Sequence, residues 1–192
     1  AQQVVDALKS GKNVFVEKPL ALTLDELDVI DKAYHEANRS NTVRLMVGFN
    51  RRYSPHIVKM KELLNSHRSP KSIIMTVNAG AIPGEHWVQN SLIGGGRIIG
   101  EGCHFIDLMR HLIGHKINGF TATMMGNVPG VEVREDKVSI TLSFEDGSFG
   151  TIHYLSNGGS KFPKERVEVF CDDAVLQMDN YRVLTGYGWP GF

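Results

Sequence analysis

The run Val138-Ser139-Ile140-Thr141-Leu142-Ser143-Phe144 alternates apolar and hydroxyl-bearing residues without a fault. Successive side chains of a β-strand point to opposite faces, so this pattern specifies a strand with one apolar face and one wet one. Strands of that kind belong to antiparallel sheets packed on one side, whereas parallel strands buried on both faces read as continuous apolar runs. Glu145-Asp146-Gly147-Ser148 follows at once, and its Asp-Gly step predicts a tight hairpin with Ser148–Leu155 as the returning strand. Further β runs at Ser72–Val77, Phe120–Met125, Arg166–Cys171 and Val175–Met178 enlarge the sheet. Two helices cover it, one from about Pro55 to Asn65 with proline in its first turn, the other near Gly102–Ile113. In the second helix Phe105, Leu108, Met109 and Leu112 form an apolar stripe at i, i+3, i+4, i+7. The hydroxyls of Ser139, Thr141 and Ser143 then face outward, onto water or a partner. The final residues, Gly186–Phe192, read as an interrupted loop.

The first 49 residues have a different texture. Val4, Val5 and Leu8 read as the tail of a helix closed by Gly11, followed by the apolar strand Asn13–Glu17. Thr23 and Glu26 form a capping-box pair that opens a second helix carrying Leu24, Leu27, Ile30 and Ala33. A second apolar strand, Val43–Phe49, completes an α-β-α-β series. That series is part of a doubly wound parallel sheet, and two parallel strands cannot bury both faces of themselves. The predicted organisation is therefore α+β: a large, mostly antiparallel open sheet at residues 50–192, covered by helices on one face, preceded by an α/β remnant at residues 1–49.

Composition excludes several classes of function. Twenty-one Lys and Arg balance 21 Asp and Glu, with no basic cluster, which argues against nucleic-acid and membrane-surface partners. The apolar runs fall well short of the roughly 20 residues that span a bilayer. The start of the chain, with Gln2, Gln3, Asp6 and Lys9, is no secretory leader, and Cys103 and Cys171 make neither a disulfide framework nor a CxxC. A reducing cytoplasm is the expected location.

Three segments carry reactive groups. Glu17-Lys18-Pro19 ends the first strand, and the carboxyl ends of strands in an open α/β sheet face the ligand crevice. A lysine there can donate to a substrate hydroxyl or stabilise a developing alkoxide; the plainer reading is a surface Glu-Lys pair beside a turn proline. His104, Asp107 and His111 share a polar helix stripe beside the apolar one. His104 in the first turn can act as general acid or base, with Asp107 orienting it, or can simply be hydrogen-bonded at a helix start. A metal site from these three residues is the weakest alternative, because the spacing is no standard zinc pattern. Gly94-Gly95-Gly96 invites comparison with a phosphate loop, but the third glycine of G-x-G-x-x-G would fall on Ile99 and no strand precedes it. It reads better as a tight loop on the substrate side, near the polar-aromatic group Glu85, His86 and Trp87.

In order, Glu17-Lys18-Pro19 after GKNVFV, then LMVGFNRRYSP at Leu45–Pro55, then GGGRIIGEGCHFIDL at Gly94–Leu108 resemble the Gfo/Idh/MocA oxidoreductases. The resemblance covers essentially the whole chain. NAGAIPGEHW and GTIHYLSNG are most similar to the subgroup fused behind a zinc-alcohol-dehydrogenase-like half. The resemblance implies an N-terminal Rossmann domain for NAD or NADP and a sheet domain that binds substrate and oligomerises through its open face. It further implies hydride transfer between nicotinamide and a secondary hydroxyl of a sugar or polyol. On this view Lys18 and His104 are catalytic, and Glu17, Lys18 and Pro19 approach the cofactor. Lys18, Arg51, Tyr53, His86, Trp87, His104 and Asp107 form the substrate side, with no metal. Two departures stand out. The first aspartate of the family's D-x-G-x-H-x-x-D helix is Gly100 here, and Glu101 beside it would point about 100° away on an α-helix. The family's glycine-rich nucleotide loop does not occur in residues 1–49, so the chain is read as a fragment, inactive and weak in dinucleotide binding by itself. The competing reading is a non-catalytic sugar-binding or dimerisation module with the same fold.

Overall fold

The computed structural model describes residues 1–40 and 42–189, within which apolar side chains gather into two separate cores. The first belongs to helix α1 (Gln2–Lys9), strand β1 (Val14–Val16), helix α2 (Leu24–Ser40) and strand β2 (Leu45–Val47). Val4, Val5 and Leu8 of α1 meet Ile30 and Ala33 of α2 and Val43. The capping box forms as the sequence dictates: the Glu26 backbone N–H donates to Thr23 Oγ1 (3.2 Å), and the Leu22 N–H donates to the Glu26 carboxylate (2.8 Å). Strands β1 and β2 pair in parallel with Phe15 opposite Met46, and these two side chains are 65% and 42% exposed. The helices thus cover one face of this two-stranded sheet, and its other apolar face stays open.

Beyond β2 a short 3₁₀ turn, Asn50–Tyr53, leads to helix α3 (Pro55–Leu64), whose first turn is capped by Ser54 Oγ accepting from the Ile57 N–H (3.3 Å). The large sheet contains β3 (Ser72–Asn78), β4 (Ile117–Met124), β5 (Lys137–Phe144), β6 (Phe149–Leu155), β7 (Glu165–Cys171), β8 (Ala174–Asp179) and β9 (Val183–Tyr187), in the order β4-β5-β6-β3-β7-β8-β9. Neighbours are antiparallel except β3 and β6, which run parallel. Helix α4 (Cys103–Ile113) lies with α3 on one face. There Ile57, Met60, Phe105, Leu108, Met109 and Leu112 pack on Ile73, Met75, Ile152, Tyr154, Val167 and Val169. Each such burial contributes about 1.5–3 kcal/mol, so this interface holds α4 in place. Among the described residues no helix is long and apolar enough to cross a membrane.

The uncovered face follows the predicted alternation. Ser139 Oγ meets His153 Nδ1 at 2.9 Å, and Thr141 Oγ1 meets Thr151 Oγ1 at 3.1 Å, so hydroxyls pair across β5 and β6. The chain end departs from expectation. Gly186 and Tyr187 belong to β9, which pairs with β8, and the buried Trp189 donates from Nε1 to the Val175 carbonyl (3.1 Å). Residues 190–192 of the expected loop lie outside the described residues.

Helix α4 comes nearest the sheet at Gly150 of β6. A Cβ there would sit 2.6 Å from Met109 Sδ and 2.9 Å from the Ile73 carbonyl oxygen. Gly150→Ala is therefore expected to destabilise the protein by about 1–3 kcal/mol, through overpacking against backbone that cannot yield. Urea unfolding measures this, and an unchanged midpoint would mean that α4 does not rest on β6.

Candidate functional site

The turn before α4 is not α-helical. Residues Ile98–Gly102 form one turn of π-helix, in which each residue is rotated less than in an α-helix and the backbone bulges outward. Two consequences decide the site. The Gly100 carbonyl turns toward β1 and accepts from Lys18 Nζ at 2.7 Å, joining the carboxyl end of a parallel strand to the sheet domain. The Glu101 side chain, expected to point away, instead lines a cavity of about 450 Å³ together with Lys18, Arg51, Arg97, Gly100 and His104. A Cβ at Gly100 would meet only the Gly94 carbonyl, at 3.5 Å, so the missing aspartate is not a matter of space. One residue later, Glu101 brings a carboxylate to the cavity wall.

Glu101 is held from three directions. Tyr154 donates to it at 2.5 Å, Arg97 at 2.9 Å and Lys164 at 2.7 Å. Burial opposes ionisation, but these three donors outweigh it and hold the carboxyl down at about 2. Arg97 is itself buried and also donates to the carbonyls of Ala79 and Gly80, which fixes the loop above the cavity. Gly94 closes that loop: a Cβ there would lie 2.6 Å from Val88 Cα, so only glycine permits the backbone contact.

His104, the second residue of α4, is 5% exposed and stands edge-on to Phe49 with ring centroids 5.9 Å apart. Its Nδ1 is buried and has no hydrogen-bond partner among the described residues. Burial first, then the positive charges of Arg51 and Lys18, lower its pKa to about 4. At neutral pH it is an uncharged imidazole able to accept a proton. Arg51 turns its fork to Glu165 (2.6 and 3.0 Å) and lies over the Phe105 ring, 4.6 Å from its centroid.

The remaining predicted residues divide. Pro19 and Trp87 line the cavity with Lys18, Arg51 and His104. Asp107 does not: both its oxygens are taken by Arg52, so it ties α4 to the turn after β2 and leaves His104 unoriented by a carboxylate. His111 faces a different hollow, beside Lys61 and Arg110, so the stripe read from the helix period does not converge on one point. Among the described residues no cluster of three or more His, Cys, Asp or Glu is arranged to hold a metal ion. Tyr53 is 64% exposed and lies off the cavity wall. His86 accepts from the Val88 N–H (3.3 Å) beside Trp87, and Glu17 lies against Gly48; neither lines the cavity. Sequence reasoning missed Arg97, Tyr154 and Lys164. The i, i+4 spacing of Arg97 and Glu101 and the inward phase of Tyr154 in β6 were the available signals.

Comparison with known proteins decides the lineage. The profile described as "GFO/IDH/MocA C-terminal domain" matches residues 58–177, and that described as "Oxidoreductase family, NAD-binding Rossmann fold" matches residues 1–49. The chain belongs to the GFO/IDH/MocA oxidoreductases. It is 30% identical to the "Uncharacterized oxidoreductase YrbE" of Bacillus subtilis, over 96% of this chain and 53% of that protein. It is 25% identical to the myo-inositol 2-dehydrogenase of Thermotoga maritima, over 96% of this chain and 54% of that one. The crystal structure of an NAD-binding oxidoreductase from Klebsiella pneumoniae superposes with a TM-score of 0.81 at 25% identity, covering 97% of this chain and 53% of the other. The chain thus spans about half the length of the GFO/IDH/MocA relatives it matches.

A histidine whose folded pKa lies below its ordinary value binds fewer protons in the native than in the unfolded state. Its stabilisation is full above about 6.5 and is lost as pH falls toward about 4. Denaturation across that window should show the native protein losing more stability than His104→Gln, and the His104 ring should titrate near 4 by NMR. A midpoint near 6.5 would contradict the buried, cation-flanked setting.

Proposed function

We propose that the protein containing this chain is an NAD- or NADP-dependent dehydrogenase acting on a secondary hydroxyl of a sugar or cyclitol. The observation that carries this reading is the meeting of Lys18, from the end of β1, and His104, from the start of α4, on one cavity wall. The relatives support the substrate class, since several curated ones are inositol dehydrogenases and a solved neighbour is an aldose-aldose oxidoreductase. The groups on the wall fit a nicotinamide end: Lys18 and Pro19 stand at the carboxyl end of a parallel strand, where such sheets receive their ligands, and His104 Nδ1 is a buried atom awaiting a partner. A bound dinucleotide supplies the hydride acceptor. Lys18 donates to the reacting hydroxyl and stabilises negative charge on its oxygen, while the neutral ring of His104 takes the hydroxyl proton. Glu101 fixes the turn that positions both.

We further read the open sheet face as the surface on which copies assemble. Phe149, Phe170, Val175 and Tyr187 lie in one row across β6, β7, β8 and β9, with Phe149 and Phe170 both opposite Ser72 of β3; all but Val175 are well exposed. Light scattering on the whole protein should give a dimer or larger, and Phe170→Asp should shift it toward monomer. A monomeric native protein contradicts this reading.

Lys18→Met in the whole protein should lower kcat by about 100-fold or more, the scale of a positioned acid-base group, with dinucleotide affinity changed little. Equal losses in both would make Lys18 a cofactor ligand only, and an unchanged kcat would remove it from the chemistry.

A further inference from the structure

Two lysines from distant parts of the chain reach adjacent residues of the π-turn. Lys18 Nζ donates to the Gly100 carbonyl and Lys164 Nζ to the Glu101 carboxylate, each at 2.7 Å. Among the described residues Lys18 meets no carboxylate, and Lys164 shares Glu101 with Arg97. Arg51, the remaining cation on the wall, is matched by Glu165. Among the groups that line the cavity and those bonded directly to them, four cations face two carboxylates, and burial, reinforced by the nearby cations, keeps His104 neutral. Each lysine keeps two N–H groups beyond the bond described, and the Lys164 side chain is about half exposed. Glu101 offsets one of these charges and no more, and its oxygens are already taken by three donors. A partly buried wall with excess positive charge is costly when it faces only neutral hydroxyls, and an anion both fills the remaining N–H groups and compensates the charge.

We infer that the substrate carries an anionic group, a carboxylate or phosphate ester, held by Lys164 at the Glu101 end of the turn while its reacting hydroxyl faces Lys18 and His104. This rests on the dehydrogenase reading for the word substrate, but the anion site itself does not require turnover. Matched pairs test it on the whole protein: glucose with glucuronate and glucose 6-phosphate, galactose with galacturonate, and myo-inositol with an inositol monophosphate. Binding is measured calorimetrically without dinucleotide, and oxidation is measured separately with NAD or NADP. At least one acid should bind about tenfold or more tighter than its neutral partner, as a charge-assisted contact implies, and the advantage should shrink as salt rises. Lys164→Gln should erase most of that ratio. Glucuronate against glucose 6-phosphate distinguishes the two sources of the charge. Acids bound in this way but never oxidised would leave the anion site standing and overturn the dehydrogenase reading. Oxidation of neutral sugars with no preference for any acid, a preference insensitive to salt or to Lys164→Gln, or no acid bound at all, would each overturn the anion site.

Discussion

A carboxylate taken out of water must be answered by charge or by hydrogen bonds, and Glu101 is answered by both. Its three donors come from three places: Arg97 at the start of the same turn, Tyr154 on the interior strand β6, and Lys164 just before β7. Together they clamp the π-turn onto the sheet. The turn in turn sets two directions, that of the Gly100 carbonyl, where Lys18 docks, and that of α4, whose first turn carries His104. Loss of this clamp would leave Arg97 buried with its cation unmatched and would free the loop that it ties through Ala79 and Gly80. Fold and site are thus coupled at one side chain.

The site joins the two parts of the chain through few contacts of mixed kind. Lys18 reaches Gly100, Phe49 stands against His104, and Arg52 grips Asp107. Arg52 and Asp107 are both largely shielded from water, so the pair is more than a surface ornament, and it fixes α4 relative to the strand that carries the chain across. Asp107 therefore braces α4 through Arg52, with both its oxygens engaged away from the cavity wall.

Much of this was legible in the residues. The unbroken alternation of Val138–Phe144 fixed a one-sided strand, and Thr23 with Glu26 announced the start of α2, because both signals are local and periodic. The family pattern located Lys18 and His104. Three features escaped. The π-turn cannot be read from spacing, since Gly100, Glu101 and Gly102 fit an α-helical turn as well. Strand β9 was hidden because its hairpin turn uses Asn180 and Tyr181, both at positive φ (49° and 55°), where an Asn-Gly pair would have signalled it. The helix stripe of His104, Asp107 and His111 is real along α4, but each residue meets a different neighbour, and periodicity carries no information about partners.

The central claim is that one cavity, walled by Lys18, Glu101 and His104, holds the reacting hydroxyl. The most direct measurement is a crystal structure of the whole protein with dinucleotide and a bound sugar or cyclitol. The account predicts a single substrate hydroxyl within hydrogen-bond reach of both Lys18 Nζ and the His104 ring, with Glu101 still bound to Arg97, Tyr154 and Lys164. A substrate seated elsewhere, or one whose hydroxyls meet neither Lys18 nor His104, would contradict it.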